Sequence, residues 1–443
     1  MIKRVLLLVL CYICIVVNIS YCITNTMREY VKIIHEDLNA GGGSERLTIT
    51  MMEALNEMGF NIDLETITIP DWNKIQRWYG KFSFKIDKIK AMDLSNIFGL
   101  SEYRNKDWIK VALEEEKYRL IINAHGDILP YYNPNNHGKL KGKIITYCHY
   151  PLMPNLADKG TYKKFLLKFL KNSKFGYGLN FHFAEKKLLS NALKIYDLMM
   201  KNTIIVTNSE FSKQAIENNY GKVVLSILSP PVNVDIYRNF ALTNQSRENK
   251  IIVLSRYSPD KKIETAIRIA KILHRSNHNF KMIVIGNIVK ENYDYYRYLQ
   301  SLISLSNLSD HVKLYLNVPL NNLLQLMATS KILLHPTLAE PFGISVAEGM
   351  SAGLVPIVPS KGGNTEFVPK QFHYKTEEEA AKIIINAMDT SYNDRLKISK
   401  FTDIFSITNF KNKLKMLIQD LLEKEITISS HQIQKNNMKT YKT

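Results

Sequence analysis

Apolar positions in this chain come in two kinds of run. Short β-branched runs alternate with longer stretches whose apolar residues recur every three or four positions. The first kind predicts buried strands, the second helices packed against them. Val31–Ile34 reads as a first strand, and Gly41–Gly43 leads into a helix through Met58. Strands follow at Asn61–Ile67, Arg119–Ala124, Lys143–Cys148, Thr203–Thr207 and Val223–Leu228. After Pro230 and Pro231 the alternation restarts. Strands are expected at Ile251–Ser255, Met282–Gly286, Val312–Tyr315, Ile332–His335 and Val355–Pro359. Helices are expected at Ile263–Leu273, Tyr293–Ser306, Asn321–Thr329 and Ile344–Ala352. Strand–helix alternation with short loops builds parallel, doubly wound sheets. Two such series predict an α/β protein of two Rossmann-like domains, 27–235 and 236–408. The linker falls within 230–250, where prolines and the polar Thr243–Lys250 lie. The segment Ser429–Thr443 has no apolar period and reads as a loose tail. In open α/β sheets ligands sit beyond the carboxyl ends of strands, so two facing domains share one cleft.

Composition changes this picture little. The 443 residues are 45% hydrophobic and 23% charged, which excludes a disordered chain. Lys and Arg outnumber Asp and Glu by 59 to 41, a net +18 that calls for an anionic partner. Of four cysteines, Cys11, Cys14 and Cys22 lie in the first apolar stretch, leaving Cys148 alone in the body. One cysteine forms no internal disulfide and no zinc site, which points to a reducing compartment. Lys3 and Arg4 precede an apolar run from Val5 to Val17, extended with interruptions to Ile23. Residues 1–23 therefore read as a hydrophobic signal or anchor segment, with a membrane anchor favoured. A cleaved signal and a start at Met27 stay open.

Four motifs follow predicted strands. Asn39–Arg46 holds three glycines, which let backbone N–H groups approach an anion at a helix start. A tight turn explains it equally well. Tyr147–Pro151 places His149 at a strand end, where a structural histidine is the blander alternative. Ser255–Lys261 offers two cations, Arg256 and Lys261, beside a helix start, a pairing that suits a diphosphate. The strongest is His335–Gly353, with Glu340 just before a helix and Glu348 eight residues on, inside it. A carboxylate in a small, apolar helix is costly unless it binds something, and sugar hydroxyls are good partners. Between them Phe342, Gly343 and Ile344 offer free N–H groups at the helix start. Taken alone, two carboxylates leave a hydrolase acid/base pair open.

The string from Glu340 to Glu348 resembles the E-x7-E signature of retaining, nucleotide-sugar-dependent glycosyltransferases of family 4, which have the GT-B fold. Similarity runs from about residue 31 to 424. Ser255–Lys261 resembles that family's phosphate-binding Arg/Lys pair, and Gly362–Glu366 its next loop. Asn39–Arg46 and Tyr147–Pro151 are most similar to the dolichol-linked α-1,2-mannosyltransferase type of N-glycan assembly. Phe410–Leu422, within 409–424, resembles the C-terminal helix that crosses back to the first domain. The resemblance implies that Glu340 contacts the donor sugar, Glu348 the ribose, and Arg256 and Lys261 the leaving diphosphate. It implies that Gly42 and Gly43, with Gly363, lie against the substrate, and that His149 bonds the donor sugar near its reacting carbon. Lys262 departs from the pattern, standing where the family often has Gly.

The implied reaction moves a hexose, mannose from GDP-mannose being favoured, to a lipid-linked glycan. It needs no metal cofactor: the chain has no Asp-x-Asp motif, and the leaving phosphate takes the acceptor proton. A UDP-sugar donor, a nucleotide-sugar epimerase and a silent sugar-binding scaffold are the alternatives. The charge excess finds a place at 159–174, where six lysines flank Tyr162, Phe165, Leu166, Phe169 and Leu170 at helical spacing. That pattern fits an interfacial helix on an anionic membrane or a surface helix packed on its own domain. Nucleic acid is not expected, because no binding motif for it is present. The expected location is a membrane surface with the catalytic domains in the cytoplasm.

Overall fold

The computed structural model describes residues 29–91, 117–127, 144–151, 197, 199–241 and 246–440. The segment 1–23 and the basic stripe 159–174 lie outside them. Among the described residues no helix is long and apolar enough to cross a membrane.

The first domain is built on a parallel sheet of β1 (Tyr30–His35), β2 (Asn61–Thr66), β3 (Ile86–Ala91), β4 (Tyr118–Asn123), β5 (Ile144–Cys148), β6 (Ile204–Thr207) and β7 (Ser226–Ile227). Their order is β3-β2-β1-β4-β5-β6-β7. The second carries β8 (Lys250–Leu254), β9 (Lys281–Gly286), β10 (Val312–Leu316), β11 (Ile332–Leu334), β12 (Val355–Pro359) and β13 (His373–Tyr374), ordered β10-β9-β8-β11-β12-β13. Both therefore have the doubly wound order, with switch points between β1 and β4 and between β8 and β11. Central strands such as β5 and β12 are buried throughout, as their largely apolar sequences require; the one polar residue of β5, Thr146, shares a hydrogen bond with Thr203 Oγ1 at 2.9 Å.

Three expected elements differ. The strand at Val223–Leu228 shrinks to Ser226–Ile227, because β7 is an edge strand pairing only with Val206 and Thr207. The helix Val234–Ala241 packs on the second domain: Arg238 Nη2 donates to the Ser399 carbonyl at 2.9 Å. The chain thus enters the second domain by Val234, slightly before the expected 236. The C-terminal helix runs Ile407–Thr440, through the stretch expected to be a loose tail. No Gly or Pro interrupts that span, and the lack of an apolar period bears on packing rather than on helix formation.

This helix does cross back. Phe410, Leu414 and Ile418 are buried in the first domain's core with Leu47, Met51 and Leu55. Lys411 Nζ lies 2.8 Å from both Glu53 and Glu57, and Lys415 reaches Glu57 at 2.7 Å. Missed by the periodicity were the helices Trp72–Tyr79, Glu210–Tyr220, Glu377–Ala387 and Tyr392–Phe401 and the strands β3 and β13; the lysine-rich, largely exposed pattern of β3 is that of a protected sheet edge.

Candidate active site

The four motifs meet at the two switch points. From the first domain come the glycine turn after β1, His125 after β4 and His149 after β5. From the second come Arg256 and Lys261 after β8 and the His335–Glu340 segment after β11.

Glu340 lies on a turn fixed by backbone. Ala339 takes a left-handed φ of 57°, Ala339 N bonds Lys361 O at 2.9 Å, and Gly363 N donates to Glu340 O at 2.7 Å. A Cβ on Gly363 would stand 1.9 Å from the Pro341 carbonyl, so this close approach requires glycine. Lys261 Nζ donates to Glu340 Oε2 at 2.9 Å. His335 Nε2 is 3.4 Å from the same oxygen, at ion-pair distance but without hydrogen-bond alignment. Burial alone would raise the Glu340 carboxyl. His335 and Lys261 outweigh it and hold the group well below the usual carboxylate range. Lys262, the departure from the family pattern, adopts φ 53° and ψ 39°, a left-handed conformation that glycine accepts more readily.

Gly343 caps the helix Ile344–Ser351 at φ 94°. The N–H groups of Phe342, Gly343 and Ile344 carry no hydrogen bond among the described residues. Glu348, within this helix, is buried and has two partners on one oxygen. Arg46 Nη1 donates to Oε1 at 2.6 Å and Tyr237 Oη donates at 2.8 Å. This answers the cost of a carboxylate in an apolar helix: a cation from the other domain meets it.

Arg256 is exposed and its side chain has no partner among the described residues. In the glycine turn, Gly42 N donates to Glu45 Oε2 at 2.6 Å, while the Gly43 N–H is open. A Cβ on Gly43 would lie 2.4 Å from Ile344 Cδ1, so the two loops touch across the cleft. His149 Nε2 is 3.2 Å from the Ala124 carbonyl, which can only accept, so the proton sits on Nε2 and Nδ1 is the acceptor. Burial, reinforced by His125, pulls its pKa down to about 4, so the ring is neutral. Deeper lies His35, fully buried, with Nε2 3.3 Å from His125 Nδ1; His125 Nε2 meets Glu36 at 2.9 Å.

Two further contacts join the domains. Ser209 Oγ donates to the Pro341 carbonyl at 2.6 Å. Glu366 accepts from the N–H groups of Glu210 and Phe211 at 3.0 and 2.7 Å, at the start of the helix Glu210–Tyr220. Sequence reasoning found neither these residues nor the partners Arg46, Tyr237 and His335. Arg46, His335 and Glu366 stood inside quoted motifs, but only the fold reveals what they touch.

Residues 238–402 match the family described as Glycosyl transferases group 1. A Dictyostelium discoideum protein named GDP-Man:Man(3)GlcNAc(2)-PP-Dol alpha-1,2-mannosyltransferase is 24% identical over 323 residues, 66% of this chain and 62% of that protein. The chain thus spans under two thirds of that relative's length. The Mus musculus protein of the same name is 24% identical over 411 residues, 84% of this chain and 82% of its own. Among solved structures, Anabaena HepE in complex with UDP superposes with a TM-score of 0.63 at 15% identity, over 88% of this chain and all of HepE. The chain has the GT-B fold, and the match to the group 1 glycosyl transferases falls within its second domain.

Proposed function

We propose that the protein is a retaining glycosyltransferase that moves mannose from GDP-mannose to a lipid-linked glycan. The observation that carries this reading is the ionised Glu340, held by Lys261 at 2.9 Å and next to Pro341, whose carbonyl accepts from Ser209 of the first domain at 2.6 Å. A carboxylate so fixed accepts hydrogen bonds from sugar hydroxyls. Lys261 has three N–H donors and spends one on Glu340, leaving two for a diphosphate. Arg256, exposed just after β8 and five residues before Lys261, supplies a second cation in this reading. Together with the open N–H groups at Gly43 and Phe342–Ile344, these stabilise the diphosphate as the sugar–phosphate bond breaks. A preorganised donor of this kind contributes roughly 3–4 kcal/mol to transition-state stabilisation. The neutral His149 offers Nδ1 to a donor-sugar hydroxyl, and the leaving phosphate takes the acceptor's proton. In this reading no metal ion is required.

The names of the Dictyostelium and mouse relatives support mannose, GDP and a dolichol-linked acceptor. The net charge of +18 supports an anionic partner, which this reading takes to be a membrane surface, with the catalytic domains on the cytoplasmic side. Titration calorimetry with GDP, GDP-mannose, UDP, UDP-glucose and UDP-N-acetylglucosamine tests the donor. Binding of the guanine pair above the uracil set is expected. Preference for a UDP-sugar would discard mannose while keeping the chemistry, and no binding at all would discard the reading. Charge-dependent binding to anionic liposomes tests the membrane surface, and its absence would remove that part.

A further inference from the structure

Arg46 stands on the second turn of the helix Gly43–Glu57, directly behind the glycine turn. Its guanidinium carbon lies 5.3 Å over the Tyr79 ring, and Tyr79 Oη donates to the Gly42 carbonyl at 2.7 Å. One tyrosine therefore fixes both the turn and the arginine. From that base Nη1 crosses the cleft to Glu348 Oε1 at 2.6 Å, where Tyr237 bonds the same oxygen from the second domain. The pair is largely withdrawn from water, at 18% and 10% side-chain exposure.

We infer that Arg46 is a positioning residue that couples domain closure to nucleotide recognition by Glu348. The inference rests on the reading that Glu348 receives the donor's ribose. Both existing bonds fall on Oε1, so Oε2 is the oxygen left to accept from a ribose hydroxyl. Without Arg46, Tyr237 is the one remaining bond on the carboxylate among the described residues, and the side chain loses its fixed orientation. Arg46 reaches Glu348 only when the domains are together, so closure prepares the ribose acceptor. By linkage, nucleotide binding then favours closure to the same extent.

The test uses the full chain with Arg46→Ala and Arg46→Lys. Binding of the preferred nucleoside diphosphate is compared with that of its 2′,3′-dideoxy form, and solution X-ray scattering gives the radius of gyration. Loss of a hydrogen bond to a charged group predicts roughly ten- to hundredfold weaker binding of the ribonucleotide by Arg46→Ala. The dideoxynucleotide, which lacks the hydroxyls, should weaken by less than about threefold. Arg46→Lys keeps the charge but loses the planar fork, and should fall between. The radius of gyration should rise in Arg46→Ala. Equal weakening of both nucleotides, or an unchanged radius, would overturn the inference. If the unaltered protein bound neither GDP nor UDP, the glycosyltransferase reading would fail by itself. The scattering comparison would still decide whether Arg46 holds the domains together.

Discussion

Replacing Lys261 by Met removes the cation that holds Glu340 while keeping most of the side-chain volume. The two charged groups are 2.9 Å apart, with 19% and 15% of their side chains exposed. At an effective dielectric of about 20, their gross attraction is roughly 6 kcal/mol. Desolvation offsets much of it, and the net worth of such a charge-assisted bond is about 1.5–3 kcal/mol. After substitution, the His335 ring, at 3.4 Å, is the nearest remaining partner. A loss of about 2 kcal/mol should lower the second domain's Tm by roughly 4–8 °C. The effect on chemistry should be larger, because in the proposed reaction the same ammonium stabilises the leaving diphosphate. Loss of one preorganised donor predicts a fall in kcat of about 10²–10³. Thermal unfolding and donor turnover measure the two effects, with Lys261→Arg as a charge-preserving control. Lys261→Arg should recover most of the stability and part of the rate. If Lys261→Met left both Tm and turnover essentially unchanged, the ion pair would be incidental and the electrostatic account of Glu340 would be wrong.

Other consequences follow from the same geometry. Gly363→Ala forces a Cβ to within 1.9 Å of the Pro341 carbonyl, where backbone must move. Overpacking of this kind costs about 1–3 kcal/mol, and the displaced Glu340 turn should lose turnover with it. His149 has a folded pKa of about 4, below its unfolded value near 6.5. Between these values the unfolded chain binds a proton that the folded chain does not, so stability falls as pH drops through that window. His149→Gln keeps a donor for Ala124 and should flatten the decline in Tm between pH 7 and 5. His35, also held low by burial, contributes in the same direction in both proteins. Phe410→Ala should cost roughly 3–5 kcal/mol and loosen the crossover helix from the first domain, as chemical denaturation would register.

The sequence announced most of the strands because parallel strands buried on both faces must be continuously apolar. β5, β8 and β12 are such strands, and their predicted bounds agree with the structure to within a residue. β3 and β7 fared worse because edge strands carry lysines or pair over two residues, so no clear apolar run marks them. The candidate site was legible as types of residue near strand ends: Lys261 meets Glu340, Glu348 meets Arg46, and His149 meets the Ala124 carbonyl. Their partners were not. Arg46 and Glu348 are 302 positions apart, and only the facing of the two domains brings them together. Nor does local spacing distinguish Gly42, whose N–H is taken by Glu45, from Gly43, whose N–H is open. The C-terminal stretch is helical to Thr440 although no apolar period marks a packing face there, because no Gly or Pro interrupts it.

The most direct test of the central claim is transfer of labelled mannose from GDP-mannose into a membrane lipid extract, with Glu340→Ala beside the unaltered protein. Label is expected in the lipid fraction from the unaltered protein and none from the variant. Free mannose is not expected to accumulate in step with donor consumption. Label in lipid at equal rates from both proteins, or donor consumed only to free sugar, would contradict the claim.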